Sequence, residues 1–306
     1  MKKVISETSG AVFSLPWFVA KDEGFFKEEG IDMEFVESLS VKVDHHSSNP
    51  EDVDPILGHT PFEDQQVAIY RAGEEGQVRR AYESKQGAKV IGLRSAVANQ
   101  ALMVRPDSEH YYPSSLANKP IAVQFHAGSH YTVLRLLEGY IPAGKINLLH
   151  YGSPRYRFEA MMNGEVEAAM LMEPWISLAE KNGCRSVCEG HYLGAENASD
   201  NMDEETFTAI NRAVVKAVDL INSDKKRFVH YLIESPKFAD AAAHWGGLTA
   251  DDFHLPRLRY AHPRPYTEEQ LEDTYNWMTR WNLLNAAVCA TDYIDNRDTQ
   301  AIAADD

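Results

Sequence analysis

The chain has 306 residues, of which 44% are hydrophobic and 25% charged, and 46 acidic side chains against 30 basic ones give a formal net charge of −16. This composition indicates a globular protein long enough for two domains of ordinary size. The acidic balance argues against nucleic acid or an anionic membrane as a partner, and no apolar run is long enough to insert into a membrane.

The first residues lack the features of a secretory leader. Met1 to Lys3 is basic, but the polar run 6–10 follows at once, with no apolar segment and no small-residue cleavage site. We therefore expect a cytoplasmic protein, or a periplasmic or extracellular one if a leader has been removed. Cys184, Cys188 and Cys289 fit a reducing compartment, because an odd and sparse set is no disulfide framework; a Cys184–Cys188 pair is the minor alternative.

The first hundred residues predict alternating strands and helices. Polar residues fill the stretch from Ser38 to Pro61, where Asn49-Pro50 and Asp54-Pro55 favour a long loop. The alternation of apolar and polar residues, together with short apolar runs, predicts strands at 4–5, 31–36, 67–70, 89–93 and 101–104. Helices are expected to begin at 15–20, with Pro16 in the first turn, and to occupy a short segment near 25–29 and residues 76–84.

A strand–helix alternation follows, which predicts a parallel sheet with helices on its faces. Its strands are expected at 120–123, 148–151 and 166–172, and its helices at 131–137 and 155–162. After about Leu193 the pattern is helical, with helices expected at 203–223, 225–233, 236–245, 249–254 and 267–284. Thr267 and Gln270 have the spacing of a capping box at the start of the last helix.

Four segments carry a family resemblance. The run from Trp17 to Glu34 resembles the opening of type 2 periplasmic-binding proteins, in the branch of nitrate, sulfonate and taurine binders and thiamine-pyrimidine synthase. Lys119 to Val123 leading into Gly128-Ser129, Met162 to Met170 with Glu173-Pro174, and Tyr266 to Trp281 match that branch in the expected order. The resemblance implies an α/β protein of two lobes joined by two crossovers, with the ligand between them. It places lobe I at residues 1–97 plus 193–306 and lobe II at residues 98–192.

Ligands of open α/β sheets bind beyond the carboxyl ends of the strands, which selects five regions of this sequence. The first is 10–17, where Phe13 and Trp17 can stack on a ring and Ser14 can cap the helix or donate to a ligand oxygen. A place in the lobe core is an equal alternative for Trp17.

The second region joins 58–63 to 70–76, and Arg71 is its strongest candidate. An arginine at a strand end beside glycines can hold a carboxylate, sulfinate or sulfonate with two parallel hydrogen bonds; the alternative is a salt bridge to Glu74 or Glu75. His59 can transfer protons near neutral pH, or it is simply solvated. The aromatic and acidic side chains expected to complete this wall are Phe62, Glu63 and Tyr70.

This second region also resembles 2′-hydroxybiphenyl-2-sulfinate desulfinase, an enzyme of the same fold. That resemblance pairs His59, Arg71 and Gly73-Glu74 with residues of the enzyme, and gives Glu74 a place among the catalytic candidates. The desulfinase has a cysteine after its first strand, where this chain has Ala11 and its neighbours. The departure argues against desulfination through a cysteine and leaves acid–base chemistry with His59 and Arg71 open.

The remaining three regions lie in lobe II. At a helix start, Gly128 and Ser129 offer free backbone N–H groups to an anion, and His126 and His130 add donors. Arg155 is a second possible clamp, or a solvated arginine. After a buried strand, Glu173 can accept hydrogen bonds or a proton and Trp175 can stack on a ring; core packing is the alternative for Trp175. These five regions together define the predicted cleft.

The sequence contains no metal-ligand spacing, no phosphate-binding glycine loop and no nucleophile elbow. It also lacks the cysteine-rich motif of the iron-associated thiamine-pyrimidine synthases. We therefore predict no metal and no organic cofactor.

Two functions remain. The first is a cytoplasmic, cofactor-independent lyase or hydrolase acting on a small anionic, partly aromatic molecule, with His59 as acid–base and Arg71 stabilising charge. The second is the substrate-binding protein of an uptake system, with an ABC permease as partner and a sulfonate, carboxylate or thiamine-precursor-like ligand.

Overall fold

The protein has two α/β lobes, each built on one sheet. A computed structural model describes residues 1–38, 46–54, 59–83, 89–284 and 295. The first sheet has the strand order β2-β1-β3-β10-β4, and the second has the order β11-β5-β8-β6-β7, with β9 paired to β5. The two-lobed α/β architecture predicted from the sequence is confirmed.

The strands and helices cover most of the described chain. The strands are β1 (Lys2–Thr8), β2 (Ile31–Glu37), β3 (Ile69–Gly73), β4 (Lys89–Leu93), β5 (Ala96–Val104), β6 (Pro120–Val123), β7 (Asn147–His150), β8 (Ala168–Met172), β9 (Arg185–Tyr192), β10 (Gly194–Ala198) and β11 (Arg259–Tyr260). The helices are α1 (Ala11–Asp22), α2 (Phe25–Glu28), α3 (Thr60–Glu63), α4 (Glu74–Glu83), α5 (Gly128–Leu137), α6 (Pro154–Met162), α7 (Trp175–Lys181), α8 (Glu204–Ser223), α9 (Lys225–Phe228), α10 (His230–Ile233), α11 (Pro236–Ala243) and α12 (Glu268–Arg280).

Parallel strands of one sheet have their carboxyl ends at the same edge of that sheet. β1 is parallel to β2 and β3, and β6 is parallel to β7 and β8. The loops that follow β1, β3, β6, β7 and β8 therefore lie at the carboxyl edges of the two sheets. The chain passes from β4 to β5 at residues 93–96 and from β9 to β10 at residues 192–194, and we call these two segments the crossovers. Strand β11 later adds to the second sheet beside β5.

Three strands, β9, β10 and β11, were not predicted from the sequence. β9 and β10 occupy residues 185–198, and β10 lies antiparallel between β3 and β4 in the first sheet. Their polar composition, with Glu189, His191 and Glu196, hides them from a hydrophobicity pattern. In the sheet β10 is fully buried, because its polar side chains have partners on neighbouring elements.

Several predicted boundaries were wrong, and packing explains the shifts. Helix α1 begins at Ala11 and contains Pro16 in its interior, because most of its residues are buried against the core and this outweighs the cost of the proline. Strand β3 continues through Arg71 to Gly73, since its backbone pairs with β10, and α4 begins directly at Glu74.

In the C-terminal part, the segment expected to be helical at 249–254 is a single 3-10 turn at 250–252, and α12 ends at Arg280 rather than 284. The predicted capping box is confirmed, because Gln270 N–H donates to Thr267 Oγ1 at 3.1 Å and Thr267 N–H to Gln270 Oε1 at 3.2 Å. The long loop predicted at 38–61 holds a 3-10 turn at 50–52, while its residues 39–45 and 55–58 lie outside the described residues.

Cys184 and Cys188 are both free thiols, so they do not pair, and Cys289 lies outside the described residues. None of the described helices combines the length and the apolar character needed to cross a membrane.

Candidate ligand site

A cavity of about 290 Å³ lies between the lobes, at the carboxyl ends of β1, β3, β6, β7 and β8. Its apolar walls come from aromatic side chains of both lobes, and its polar walls hold an unusual number of buried arginines and histidines. The aromatic residues are Phe13, Phe125, Tyr156, Trp175, Tyr192 and Phe238, and the cationic and imidazole residues are His59, Arg71, Arg80, Arg94, His126, His150, Arg155, Arg157 and Lys237.

The predicted site residues divide into two groups. Those that line the cavity are Phe13, His59, Arg71, His126, Gly128, Ser129, Arg155, Glu173 and Trp175. Those that lie outside its lining are Ser14, Trp17, Phe62, Glu63, Tyr70, Glu74 and His130. The two groups interleave along the chain, because residues of a strand alternate between its two faces and residues of a helix are spread around its axis.

Arg71 lies at the cavity wall with all of its nitrogens bound by the protein. Nε donates to Glu196 Oε2 at 3.3 Å, Nη1 to the Glu7 carbonyl at 2.9 Å, and Nη2 to Ser6 Oγ at 2.8 Å. The guanidinium also stacks on Trp17, 3.7 Å from the ring centre, and the Trp17 side chain is hydrogen-bonded to Glu196. Neither Glu74 nor Glu75 pairs with Arg71; its buried partner is 125 residues away in sequence. Arg71 therefore stiffens lobe I behind the cavity.

The other second-region residues support Arg71 and His59 from behind. Phe62 and Tyr70 pack edge to face with ring centres 4.7 Å apart, and Asn197 donates to the Tyr70 hydroxyl at 2.7 Å. Glu74 receives a hydrogen bond from Thr274 on α12, so it faces away from the cavity. Burial, and then the neighbouring Glu75, raises the pKa of Glu74 to about 7. Ser14 is buried and donates to the Ser9 carbonyl at 3.5 Å.

His59 and Glu7 form a buried pair at the cavity. His59 Nδ1 lies 2.6 Å from Glu7 Oε1. A carboxylate at that distance holds the proton on Nδ1, which leaves Nε2 as the basic nitrogen. Burial lowers the pKa of His59, against the opposing effect of Glu7, so the imidazole is neutral at physiological pH. The ring stacks on Tyr70 at 4.4 Å, which restricts its orientation.

Arg94, on the first crossover, presents donors that have no partner. Nε donates to the Ala96 carbonyl at 3.0 Å, whereas Nη1 and Nη2 are buried without a hydrogen bond from any described residue. The guanidinium lies over Phe13, 4.4 Å from its ring centre, and 5.3 Å from that of Tyr192. A Cβ on Gly194 would lie 1.8 Å from Arg94 Nε, so only glycine leaves room for this arginine.

Arg80 reaches from α4 to the second lobe. Its Nη1 donates to the His126 carbonyl at 3.2 Å, and its Nε and Nη2 are buried without a partner among the described residues. The charge of Arg80 acts on His59 and His126, which places it between the two. Arg80 thus links the lobes and keeps spare donors at the cavity.

Arg157, on α6, is buried in lobe II without a carboxylate partner in the described chain. Nη1 donates to the Met170 carbonyl at 2.5 Å, and Nε has no hydrogen bond. Burial lowers the pKa of Arg157 to about 9, and Tyr192 opposes this. A buried cation of this kind is costly unless an anion accompanies it.

Three histidines line or back the lobe II wall as neutral rings. Burial, the largest cause for each, lowers the pKa of His126 to about 4, of His130 to about 3 and of His150 to about 4. Phe125 N–H donates to His150 Nδ1 at 3.0 Å, so His150 carries its proton on Nε2, which is buried without a partner in the described structure. His150 therefore presents a neutral N–H donor.

The loop before β3 closes onto the same wall. His126 Nε2 lies 2.7 Å from the Pro50 carbonyl, and His46 stacks on Tyr151 with ring centres 3.7 Å apart. The backbone N–H of His150 donates to the Ser47 carbonyl at 2.9 Å. These contacts join the long loop of lobe I to lobe II.

The third lobe II region combines a carboxyl group with an aromatic ring. Ser177 donates to Glu173 Oε2 through both N–H (3.2 Å) and Oγ (2.8 Å), and burial raises the pKa of Glu173 to about 7. Trp175 lines the cavity and also packs against Phe158 and Phe238, so the core packing that was the alternative is present and stacking on a ligand stays a prediction. Arg155 is partly exposed at the rim and pairs with Glu159 at 2.8 Å.

Five residues that line the cavity were not predicted from the sequence, namely Arg80, Arg94, Arg157, His150 and Tyr192. Arg94 follows directly after an apolar strand, which is the feature from which Arg71 was predicted. Arg157 lies two residues after Arg155, in a region that was already predicted to border the cleft. Arg80 lies inside a helix, where only the tertiary structure shows which way it extends. Among the described residues no three His, Cys, Asp or Glu side chains cluster as metal ligands would.

No protein-family model and no curated protein sequence matches the chain. Solved structures do match it. The alkanesulfonate-binding protein SsuA of Xanthomonas axonopodis pv. citri, bound to MOPS, has a TM-score of 0.72 at 15% identity and covers 96% of this chain and 98% of its own. SsuA of Escherichia coli, a periplasmic aliphatic sulphonate binding protein, has a TM-score of 0.70 at 15% identity, covering 96% of this chain and 97% of its own.

The enzyme DszB, as a mutant in complex with biphenyl-2-sulfinic acid, has a TM-score of 0.66 at 15% identity and covers 100% of both chains. These similarities extend over whole chains at low identity, so they concern the fold. The structure has the two-lobed fold of type 2 periplasmic-binding proteins, as the sequence resemblance implied.

Proposed function

We propose that this protein binds a small organic anion, with an apolar and partly aromatic body, in the cavity between its lobes. The observation that carries the proposal is the set of unpartnered donors on Arg94 and Arg157, two arginines that are 4% and 2% exposed. Buried guanidinium groups without anions are rare, because nothing offsets the free-energy cost of removing the charge from water. A bound anion would offset that cost.

The charges around the cavity support a ligand of negative charge. Glu196 and the Glu7 backbone satisfy Arg71, and Glu7 also holds His59. No described carboxylate forms a salt bridge with Arg80, Arg94 or Arg157. A locally positive cavity in a chain of net charge −16 concentrates an anion at one place and repels it elsewhere.

The cavity walls support an apolar body of modest size. A volume of about 290 Å³ is at the lower end of ligand pockets, which usually hold 300–1,000 Å³ (roughly). Phe13, Phe125 and Tyr192 lie near the cationic groups, so a ring or short alkyl chain has a surface to pack on. Sulfonates, sulfinates and carboxylates with such bodies fit both features.

Thermal unfolding with paired ligands tests this function. Benzenesulfonate and benzoate are expected to raise the melting temperature, whereas benzenesulfonamide and benzamide, which have the same shape without the charge, are not. Arg94→Met should remove the shift by benzenesulfonate, and Arg212→Ala, an exposed arginine outside the cavity, should leave it unchanged. Equal stabilisation by the amides and the anions would contradict the proposal.

A second function, acid–base catalysis on the bound anion, is supported by the His59–Glu7 pair. His59 offers a neutral Nε2 as a base, and Glu173, whose pKa is raised to about 7, offers a protonated carboxyl group as an acid. Two groups whose pKa values have been moved in opposite directions are typical of lyase and hydrolase sites. This function goes with the predicted cytoplasmic location, which stays a prediction.

Product analysis separates the two functions. Each anion that stabilises the protein is incubated with it and followed by NMR. Turnover that is lost in His59→Gln, with binding kept, supports the enzyme. Ligands recovered unchanged contradict it and leave a binding protein, for which co-purification with an ABC permease is the next measurement.

A further inference from the structure

The spare donors of the cavity form two separate groups, one on each side. Arg94 lies on the first crossover, beside lobe I, and its Nη1 and Nη2 are unpartnered. Arg157 and His150 lie in lobe II, and each has one unpartnered nitrogen, Nε and Nε2 respectively. All three side chains are at least nine-tenths buried and line the same cavity.

The two groups are held by different elements. Arg94 donates to the Ala96 carbonyl and lies over the Phe13 ring, whereas Arg157 donates to the Met170 carbonyl of β8. The electrostatic surroundings differ in the same way, because Arg94 acts on Arg71 and Glu196, while Arg157 acts on His150.

Tyr192 is a neighbour of both arginines. Its ring centre is 5.3 Å from the Arg94 guanidinium, and it also interacts electrostatically with Arg157. Gly128 leaves room for this ring, since a Cβ there would lie 2.5 Å from the Tyr192 hydroxyl oxygen. Because Arg94 and the pair of Arg157 and His150 lie on different elements, we expect one acid group bound by Arg94 to leave the donors of the other two residues unsatisfied.

We propose that the ligand carries an acidic group at each end of its apolar body, one bound by Arg94 and the other by Arg157 and His150. The inference rests on the proposed function and extends it from anions in general to dianions. Neither arginine has a described carboxylate in salt-bridge contact, and Glu196, which acts on Arg94, is already paired with Arg71. Two negative groups on the ligand would compensate both charges. His150, held with its proton on Nε2, adds a neutral donor to the second group.

The test compares two ligands that differ at one end alone. 4-Sulfobenzoate has two acidic groups, and 4-acetylbenzenesulfonate replaces the carboxylate by a neutral acetyl group of similar size. Calorimetric titration at pH 7.5 is expected to give 4-sulfobenzoate a dissociation constant about 10- to 100-fold lower, the effect of charge-assisted hydrogen bonds to a buried cation. A series from succinate to suberate, each against its monomethyl ester, then measures the spacing at which the advantage is largest.

Variants assign the second acid group to its residues. Arg157→Met should abolish the advantage of 4-sulfobenzoate while 4-acetylbenzenesulfonate still binds, and Arg157→Lys should keep part of it. His150→Gln, which retains an N–H donor, should weaken the advantage less than His150→Leu. Arg212→Ala serves as the matched control.

Each outcome decides one point. Equal binding of the diacids and their monoacid partners overturns the dianion inference and leaves the proposed function standing. Failure of every anion to bind overturns both. The wild-type comparison alone settles the inference if Arg157→Met does not fold.

Discussion

Arg71 and Arg157 are both buried at the cavity, one in each lobe, and their surroundings are opposite. Arg71 has Glu196, Ser6 and a backbone carbonyl as acceptors and a tryptophan ring beneath it. Arg157 has one backbone carbonyl and no described carboxylate. Arg71 was predicted to be the ligand anchor because it lies near a strand end. The sequence does not show that the hydrogen-bond donors of this arginine already have acceptors within the protein.

The difference teaches how to tell a structural arginine from a ligand-binding one in this fold. A guanidinium whose donors are all used stabilises the lobe, since the ion pair is complete without a ligand. A guanidinium that is buried with spare donors lowers the stability of the free protein, and the protein recovers that loss when an anion binds.

The largest expected effect is on stability, in Arg71→Met. We expect the free energy of unfolding to fall by about 3–5 kcal/mol, because the change leaves Glu196 buried without its cation. Urea unfolding at pH 7.5 measures it. The double variant Arg71→Met with Glu196→Gln should recover part of the loss, and a single variant as stable as the parent would mean that the pair is not structural.

Arg157→Met is expected to behave in the opposite way. Removing an unpaired buried charge should raise the free energy of unfolding of the free protein by roughly 1–3 kcal/mol, since the hydrogen bond to Met170 is lost but the desolvation cost disappears. The same urea measurement tests it. A destabilisation as large as that of Arg71→Met would show that both arginines stabilise the folded protein in the absence of a ligand.

The lobe II histidines make this wall sensitive to acid. Burial lowers the pKa values of His126, His130 and His150 to about 4, 3 and 4. As the pH falls, these histidines are therefore protonated in the unfolded chain before they are protonated in the folded protein. The contribution of these neutral histidines to the free energy of unfolding is complete above about pH 6.5 and is lost as the pH falls toward 3–4. By pH 5 the loss in the free energy of unfolding is roughly 1–2 kcal/mol for each histidine. Glu74 and Glu173, with pKa values raised to about 7, act in the opposite sense.

A difference measurement isolates the histidines from those carboxyl groups. The free energies of unfolding of the parent and of His130→Asn, which keeps an acceptor for the His126 N–H, are compared at pH 7.5 and pH 5. The parent should lose more stability between the two pH values than the variant. Identical losses would argue that His130 is not held neutral by burial.

The smallest expected effect is on ligand affinity at alkaline pH. With its pKa lowered to about 9, Arg157 loses its charge above that pH in the free protein, so the affinity for a diacid should fall roughly tenfold at pH 10. Calorimetric titration of 4-sulfobenzoate from pH 7.5 to pH 10 follows it. Arg157→Met should lack this component, and the same decline in the variant would assign the loss to another group.

Local patterns predicted the places of the site better than its members. The carboxyl ends of β1, β3, β6, β7 and β8 were expected to meet, and all five border the cavity. Within those places the choice of residue was weaker, because Trp17 and Phe13 are four residues apart on one helix and yet differ in whether they line the cavity. Residues four apart share a helix face, so periodicity does not distinguish Phe13, which reaches the cavity, from Trp17, which stacks on Arg71.

By itself the sequence determined the strands whose ends form the cavity and the cap of the last helix, because these depend on periodicity and on neighbours within a few residues. Its resemblance to type 2 periplasmic-binding proteins implied the two-lobed fold. Only the tertiary structure decided which arginine has a partner. Glu196 comes from a strand that the hydrophobicity pattern did not reveal, and it reaches Arg71 through the pairing of β3 with β10. Whether a buried charge is satisfied depends on contacts between distant segments, and so does the distinction between a residue that holds the protein together and one that awaits a ligand.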